Sequence, residues 1–118
     1  MGKLIAILFL SRDLAHRAHL QTTSYAQHMA LGDFYEDVIE MADDLAEMYQ
    51  GRKGIIKDIP FLEDEEYENI ADVLESYMDM IQKERFTAAE KTDTAIQNKI
   101  DEVIGLYLST LYKLRNLK

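Results

Sequence analysis

Helix breakers are confined to a few points of this chain, and that confinement restricts what it can fold into. Proline occurs once, at Pro60, and glycine only at positions 2, 32, 51, 54 and 105, so long stretches contain nothing that ends a helix. Within them apolar residues recur at intervals of three and four, the period of a helix burying one face, rather than the interval of two of a half-buried strand. The spacing predicts four helices. The first runs from about Lys3 to Gln21, with Leu4, Ile7, Leu8, Leu14, Ala15 and Ala18 on one face. Ser24-Tyr25-Ala26-Gln27 has the S-x-x-Q form of a capping box, which starts the second helix. That helix reaches Gln50, where Gly51 is expected to end it in a left-handed cap, and its stripe is Leu31, Phe34, Tyr35, Val38, Met41, Ala42, Leu45 and Tyr49. After the loop GRKGIIKDIPFLED, a third helix is expected from about Asp64 to Arg85, placing Tyr67, Ile70, Ala71, Leu74, Met78 and Ile81 together. A fourth, from about Thr94 to Asn116, does the same with Ile96, Ile100, Val103, Tyr107, Leu111 and Leu114. Helices of roughly 19 to 27 residues are about 28 to 40 Å long. Short links then fold them into one all-α domain over residues 1–118, an antiparallel four-helix bundle whose longer loop between the second and third helices is free to cross over.

Charge and cysteine content narrow the partners. Thirteen basic against twenty-two acidic residues give a formal charge of −9, which repels phosphate backbones and argues against nucleic acid. There is no cysteine, so any metal must be held by imidazole and carboxylate, and a reducing cytoplasm is permitted. The one continuous apolar run, Leu4 to Leu10, is shorter than the ~20 residues a membrane span needs and ends at Ser11-Arg12-Asp13; without a small-residue cleavage site it is not read as a signal peptide. No membrane partner is expected. Gly51-Arg52-Lys53-Gly54 is too short for a phosphate loop, and nothing pairs a base with a positioned hydroxyl, so kinase and hydrolase chemistry find no support. Ile5 and Phe9 fall off the core stripe of the first helix, a second apolar edge that predicts a homo-oligomer.

All three histidines lie between His16 and His28, in HRAHLQTTSYAQH, just ahead of the acidic run DFYEDVIEMADDLAEMYQ. They are either surface imidazoles at a corner beside Thr22, Thr23 and Ser24, or metal ligands. At 100° per residue with Val38 at zero, Leu31, Phe34, Ala42, Leu45 and Tyr49 fall within roughly 40°, whereas Glu36, Glu40, Asp43 and Glu47 lie roughly 140 to 180° away. Those carboxylates cannot line the core of one chain. There is no Glu-x-x-His either, so an inward-facing di-iron centre is not expected. His28, near about 80°, shares a side of the second helix with Asp43, while Arg12, His16 and His19 stand at i, i+4 and i+7 on one side of the first. The two polar edges are expected to meet at a seam between copies. Met41, Met78 and Tyr107, at core spacing, read as packing residues.

LGDFYEDVIEMADDLAEMYQG, Leu31 to Gly51, resembles the second helix of the Dps-type mini-ferritins. That resemblance, over roughly residues 10–51, implies a ferritin-like bundle with a metal site between subunits. His16 would match the first-helix His, with His19 as its alternate, His28 the second His, and Asp43 and Glu47 the Asp-x-x-x-Glu of a neighbouring copy. Gly32 stands where the bridging Asp belongs, leaving Asp33 and Glu36 as candidate substitutes. The implied cofactor is Fe or Mn, with Zn the remaining candidate, and the implied activity is ferrous oxidation. H-x-x-H-x-Q-T-x-S-Y-A-x-H-x-A-L from His16 to Leu31, YQG at Tyr49 to Gly51, and the ending AIQNKIDEVIGLYLSTLYKLRNLK are similar to a family of small tailed-bacteriophage proteins. This second resemblance spans nearly the whole chain and implies a phage origin and the cytoplasm of an infected host. It leaves a second expectation standing beside the first: a metal-free accessory protein that binds a host or phage protein through its acidic helical surface.

Overall fold

The computed structural model describes residues 1–64 and 66–118. Four helices form, α1 (Gly2–Gln21), α2 (Tyr25–Lys53), α3 (Ile70–Ala88) and α4 (Thr94–Asn116), with no strand among the described residues. α1 packs against α2 and α3, and α4 against the same two, so α1 and α4 face each other across one diagonal and α2 and α3 across the other.

Ion pairs between helix ends fix the directions. Lys3 at the start of α1 meets Glu84 near the end of α3, and Arg115 at the end of α4 meets Asp72 at the start of α3. Arg52 and Lys53, closing α2, meet Asp93 and Glu90 in the α3–α4 turn. Every adjacent pair is therefore antiparallel, while α2 and α3 run the same way. The chain must climb the full length of the bundle between the end of α2 and the start of α3, and Ile59, Pro60, Phe61 and Leu62 lie along Ala6, Phe9, Leu10 and Asp13 of α1. One long crossover between two parallel helices is a standard way to connect a four-helix bundle.

Local sequence accounts for most helix ends. The Ser24 hydroxyl accepts from the Gln27 backbone at 3.2 Å, half of the expected capping box. Gln27 does not return to the Ser24 amide; Thr22 stands between them, its hydroxyl accepting from the Ser24 N–H at 3.1 Å and donating to Gln27 Oε1 at 2.9 Å. Asn69 and Asp93 cap α3 and α4 through their side chains. α2 does not stop at Gly51 but runs one turn further to Lys53, and Gly54, at φ 91°, ends it. The reason is steric and local, since only a residue without a Cβ adopts that backbone cheaply. α3 starts at Ile70, not Asp64, leaving Tyr67 in the crossover.

The core follows the expected stripes on α2, α3 and α4, with Phe34, Leu45, Leu74, Ile81, Ile96, Ile100 and Tyr107 almost wholly inaccessible. α1 departs from its expected stripe: Leu4 through Leu8 are buried without interruption, so Ile5 is no free edge, and of the pair only Phe9 is exposed. A helix apolar on all sides is one enclosed on all sides, and here two helices and the crossover surround α1. A side chain at Gly2 would collide with the Asp58 carbonyl of that crossover. Across the α1–α4 diagonal, Tyr107 donates to the Ser11 hydroxyl at 2.7 Å and meets Phe34 edge-on at 5.0 Å. Burial raises the Tyr107 pKa, with the Ser11 hydrogen bond opposing it.

Candidate functional site at the joint of α1 and α2

Three residues, Thr22 to Ser24, link α1 to α2, so positions roughly equidistant from Thr23 are brought side by side. His19 and His28 are such a pair. Their rings stack with centroids 3.7 Å apart and planes 17° apart. His19 Nδ1 lies 2.6 Å from the His28 carbonyl, and His28 Nδ1 lies 2.8 Å from the His19 carbonyl. A carbonyl can only accept, so both Nδ1 atoms carry protons, and in the neutral rings the lone pair resides on Nε2.

The stack extends down the seam. His16 lies over Tyr35 at 4.2 Å and 20°, Tyr35 meets His19 edge-on at 5.3 Å, and the Arg12 guanidinium sits 5.6 Å from the Tyr35 centroid. His16 and His19 are 6.3 Å apart, ring to ring. Gly32, one turn beyond His28, backs onto this ladder; a Cβ there would come within 3.1 Å of His19 Cε1 and 3.2 Å of Nδ1. The position expected to lack a bridging Asp is thus occupied from the other side by an imidazole of the same chain.

The structure brings together His16, His19 and His28. Asp33, Glu36, Asp43 and Glu47 are all exposed. Fifteen positions of helix separate His28 from Asp43, about 22 Å at 1.5 Å per residue. Nor can the stacked pair chelate one ion as it stands. A metal lies in the plane of each imidazole about 2.0–2.1 Å from nitrogen, and two rings with centroids 3.7 Å apart and planes inclined at only 17° share no in-plane point within that reach. Among the described residues no group of three or more His, Asp or Glu is placed to hold a metal ion. The donor set of one chain therefore does not fit a di-metal centre.

Sequence reasoning missed Tyr35 and Gly32 as parts of this feature, reading the first as core and the second as a gap. The available signal was spacing: Phe9, Arg12, His16 and His19 on one helix and His28, Gly32, Tyr35 and Ile39 on the next both repeat at three and four, two facing seams of an antiparallel pair.

The outer face of α2 is a second feature. Asp33, Glu36, Asp37, Glu40, Asp43, Asp44 and Glu47 are exposed, and no Lys or Arg lies between Arg17 and Arg52. Of the seven, Asp44 is reached by Lys99 of α4 at 3.3 Å. Asp33–Asp37, Glu36–Glu40, Glu40–Asp44 and Asp43–Glu47 are like-charge pairs at i,i+4, each worth roughly 0.2–0.5 kcal/mol of repulsion in an isolated helix. No helix is long and apolar enough to cross a membrane among the described residues.

Comparison with known proteins agrees with a phage origin. The chain is 26% identical over 110 residues to an uncharacterised 14.6 kDa protein of the mobD–ri intergenic region of Enterobacteria phage T4, covering 93% of this chain and 84% of that protein. No solved structure matches. The profile of a family of unknown function, DUF5856, matches residues 19–114, from the second histidine to the end of the last core stripe, and the chain belongs to that family.

Proposed function

We propose that this chain is a phage accessory protein that acts by binding a protein partner of basic surface through the outer face of α2. The observation that carries the reading is the acidic stripe from Asp33 to Glu47, retained at the expense of repeated i,i+4 repulsion, with no cation of α2 itself between them and Lys99 reaching Asp44 alone. Charge of one sign on a rigid helix steers association and fixes orientation more than it adds affinity. The His–Tyr ladder then serves the fold, holding the α1–α2 joint, since both Nδ1 donors and three ring faces are satisfied within the chain.

The test is recovery of the tagged chain from infected cells, beside a variant carrying Glu36→Gln, Glu40→Gln, Asp43→Asn and Glu47→Gln. A partner held by the native chain at roughly 0.1 M salt, released near 1 M and absent from the variant is expected. The same proteins on both chains, or retention at the higher salt, would overturn the reading.

A second reading, a transition metal between two copies, is favoured by one observation: Nδ1–H bonded to a backbone carbonyl is the outer-shell arrangement that orients metal-bound histidines. His28 with His16 or His19 would supply imidazole, Asp43 and Glu47 of a second copy would supply charge, with Asp33 and Glu36 as the nearest further carboxylates. Fe, Mn or Zn suits that donor set, and iron would bring ferrous oxidation. Elemental analysis of purified, metal-loaded protein decides it. Stoichiometric metal lost in a His28→Ala, Asp43→Ala double variant supports this reading, and its absence from the native protein dismisses it.

A further inference from the structure

Two apolar depressions cross α1 and share Phe9 and Asp13. One, of about 430 Å³, lies between α1 and the crossover, with Leu10, Ile59, Phe61 and Leu62 in its walls. The other, of about 340 Å³, continues past Phe9 to Ile39 of α2. Phe61 is fully exposed at 104% and Phe9 is 39% exposed, so neither is spent on the core, and contiguous exposed apolar surface marks interaction sites. The edges of this trough are acidic. Exposed Asp58, Glu63 and Asp64 flank the apolar run Ile59 to Leu62 on one side, and Glu36 and Asp43 stand one turn either side of Ile39 on the other. Of the nearby cations, Arg17 pairs with Asp13 at 2.8 Å and Arg12 lies over the Tyr35 ring, while Lys57, beside Asp58, is exposed and outnumbered by the acids of the two banks.

An apolar floor between acidic banks selects a partner apolar on one face and basic on its flanks. We propose that the trough binds an amphipathic basic helix of a protein partner, its apolar side chains at i, i+4 and i+7 seated over Phe9 and Phe61 and its Lys and Arg facing the two banks. A second copy of this chain, at −9, would bring like charge to the same banks, as would an anionic lipid surface. The proposal rests on the protein-binding reading of α2 and adds to it the place and form of the ligand.

The experiment uses two labelled synthetic helical peptides, one of Leu and Lys with a single apolar face, the other with Glu in place of Lys, titrated with the full-length chain by fluorescence anisotropy. The Leu/Lys peptide is expected to bind at least tenfold more tightly than its acidic twin, and Phe9→Ser and Phe61→Ser each to weaken it at least tenfold. Phe61→Ser touches no buried surface, and its thermal unfolding should match the native chain. Should both Ser variants bind as the native chain does while neutralising the α2 carboxylates abolishes binding, the α2 reading stands and the trough is refuted. Equal binding of the twins, or no effect of either set of changes, refutes both. If sedimentation finds the native chain self-associated and Phe61→Ser monomeric, the occupant is a second copy and the proposal falls.

Discussion

Replacing Gly32 by Ala sets two effects of known sign against each other. In a helix interior Ala is favoured over Gly by about 0.8–1.0 kcal/mol. Against this, the new Cβ would sit 3.1 Å from His19 Cε1 and 3.2 Å from Nδ1, so the ring must move. It has little freedom to do so: it is stacked on His28 at 3.7 Å, and the two Nδ1–H donors share reciprocal bonds of 2.6 and 2.8 Å across the joint. Losing both bonds would remove about 1–3 kcal/mol, at roughly 0.5–1.5 kcal/mol each. Gly32→Ala in the native background should then lie between neutral and about 2 kcal/mol destabilising. In a His19→Ala background the same change meets open space and should stabilise by about 1 kcal/mol. The sign therefore reverses, with a coupling of about 1–3 kcal/mol in the double-mutant cycle. Urea unfolding of the four proteins followed by circular dichroism reads this directly. Equal stabilisation by Gly32→Ala in both backgrounds would refute the locked imidazole pair and, with it, the explanation of why glycine stands there.

Four further outcomes are expected. Tyr107→Phe should destabilise by about 1 kcal/mol, and combining it with Ser11→Ala should cost less than the two changes added, because the lone buried hydroxyl goes with its partner; denaturant melts check this. Burial raises the Tyr107 pKa above its ordinary 10.0, so folded-state stability is complete below that value and falls as pH rises through it, because the unfolded chain releases the proton first. The alkaline loss should shrink in Tyr107→Phe. Gln97→Leu should cost roughly 2–3 kcal/mol in thermal unfolding, since the buried Gln97 amide donates to the Arg85, Ala89 and Glu90 carbonyls at 3.2, 3.2 and 3.3 Å and its oxygen accepts from Arg85. The Arg52 hydrogen bond lowers the Asp93 pKa below its ordinary 3.8, so this contribution is present above that value and is lost as pH falls through the depressed one; NMR titration should find the Asp93 midpoint low, and Arg52→Gln should move it up.

Helix number, the stripes of α2, α3 and α4, and the start of α2 at Ser24 were legible in the sequence because each depends on residues within a turn or two of one another. The period of apolar positions and the capping chemistry of Ser24 and Asp93 act locally, wherever the rest of the chain lies. The end of α2 was misplaced by one turn because Gly51 and Gly54 are alike in sequence, and it is the second that takes the positive φ, 91°. Ile5 read as an edge because nothing in α1 records that Asp58 to Leu62 return along it. The candidate site was legible as a cluster of three histidines and a run of acids, and no further. Which side chains face each other across the α1–α2 joint depends on which residues a three-residue link sets opposite each other, and stacking of His19 on His28 and of His16 on Tyr35 is a matter of that register. Sequence alone thus determined the amphipathic helices and the charge of each face, because these are sums of nearest-neighbour preferences. Tertiary structure decided that His19 stacks on His28 and His16 on Tyr35, because distances between segments are set by closure of the whole bundle.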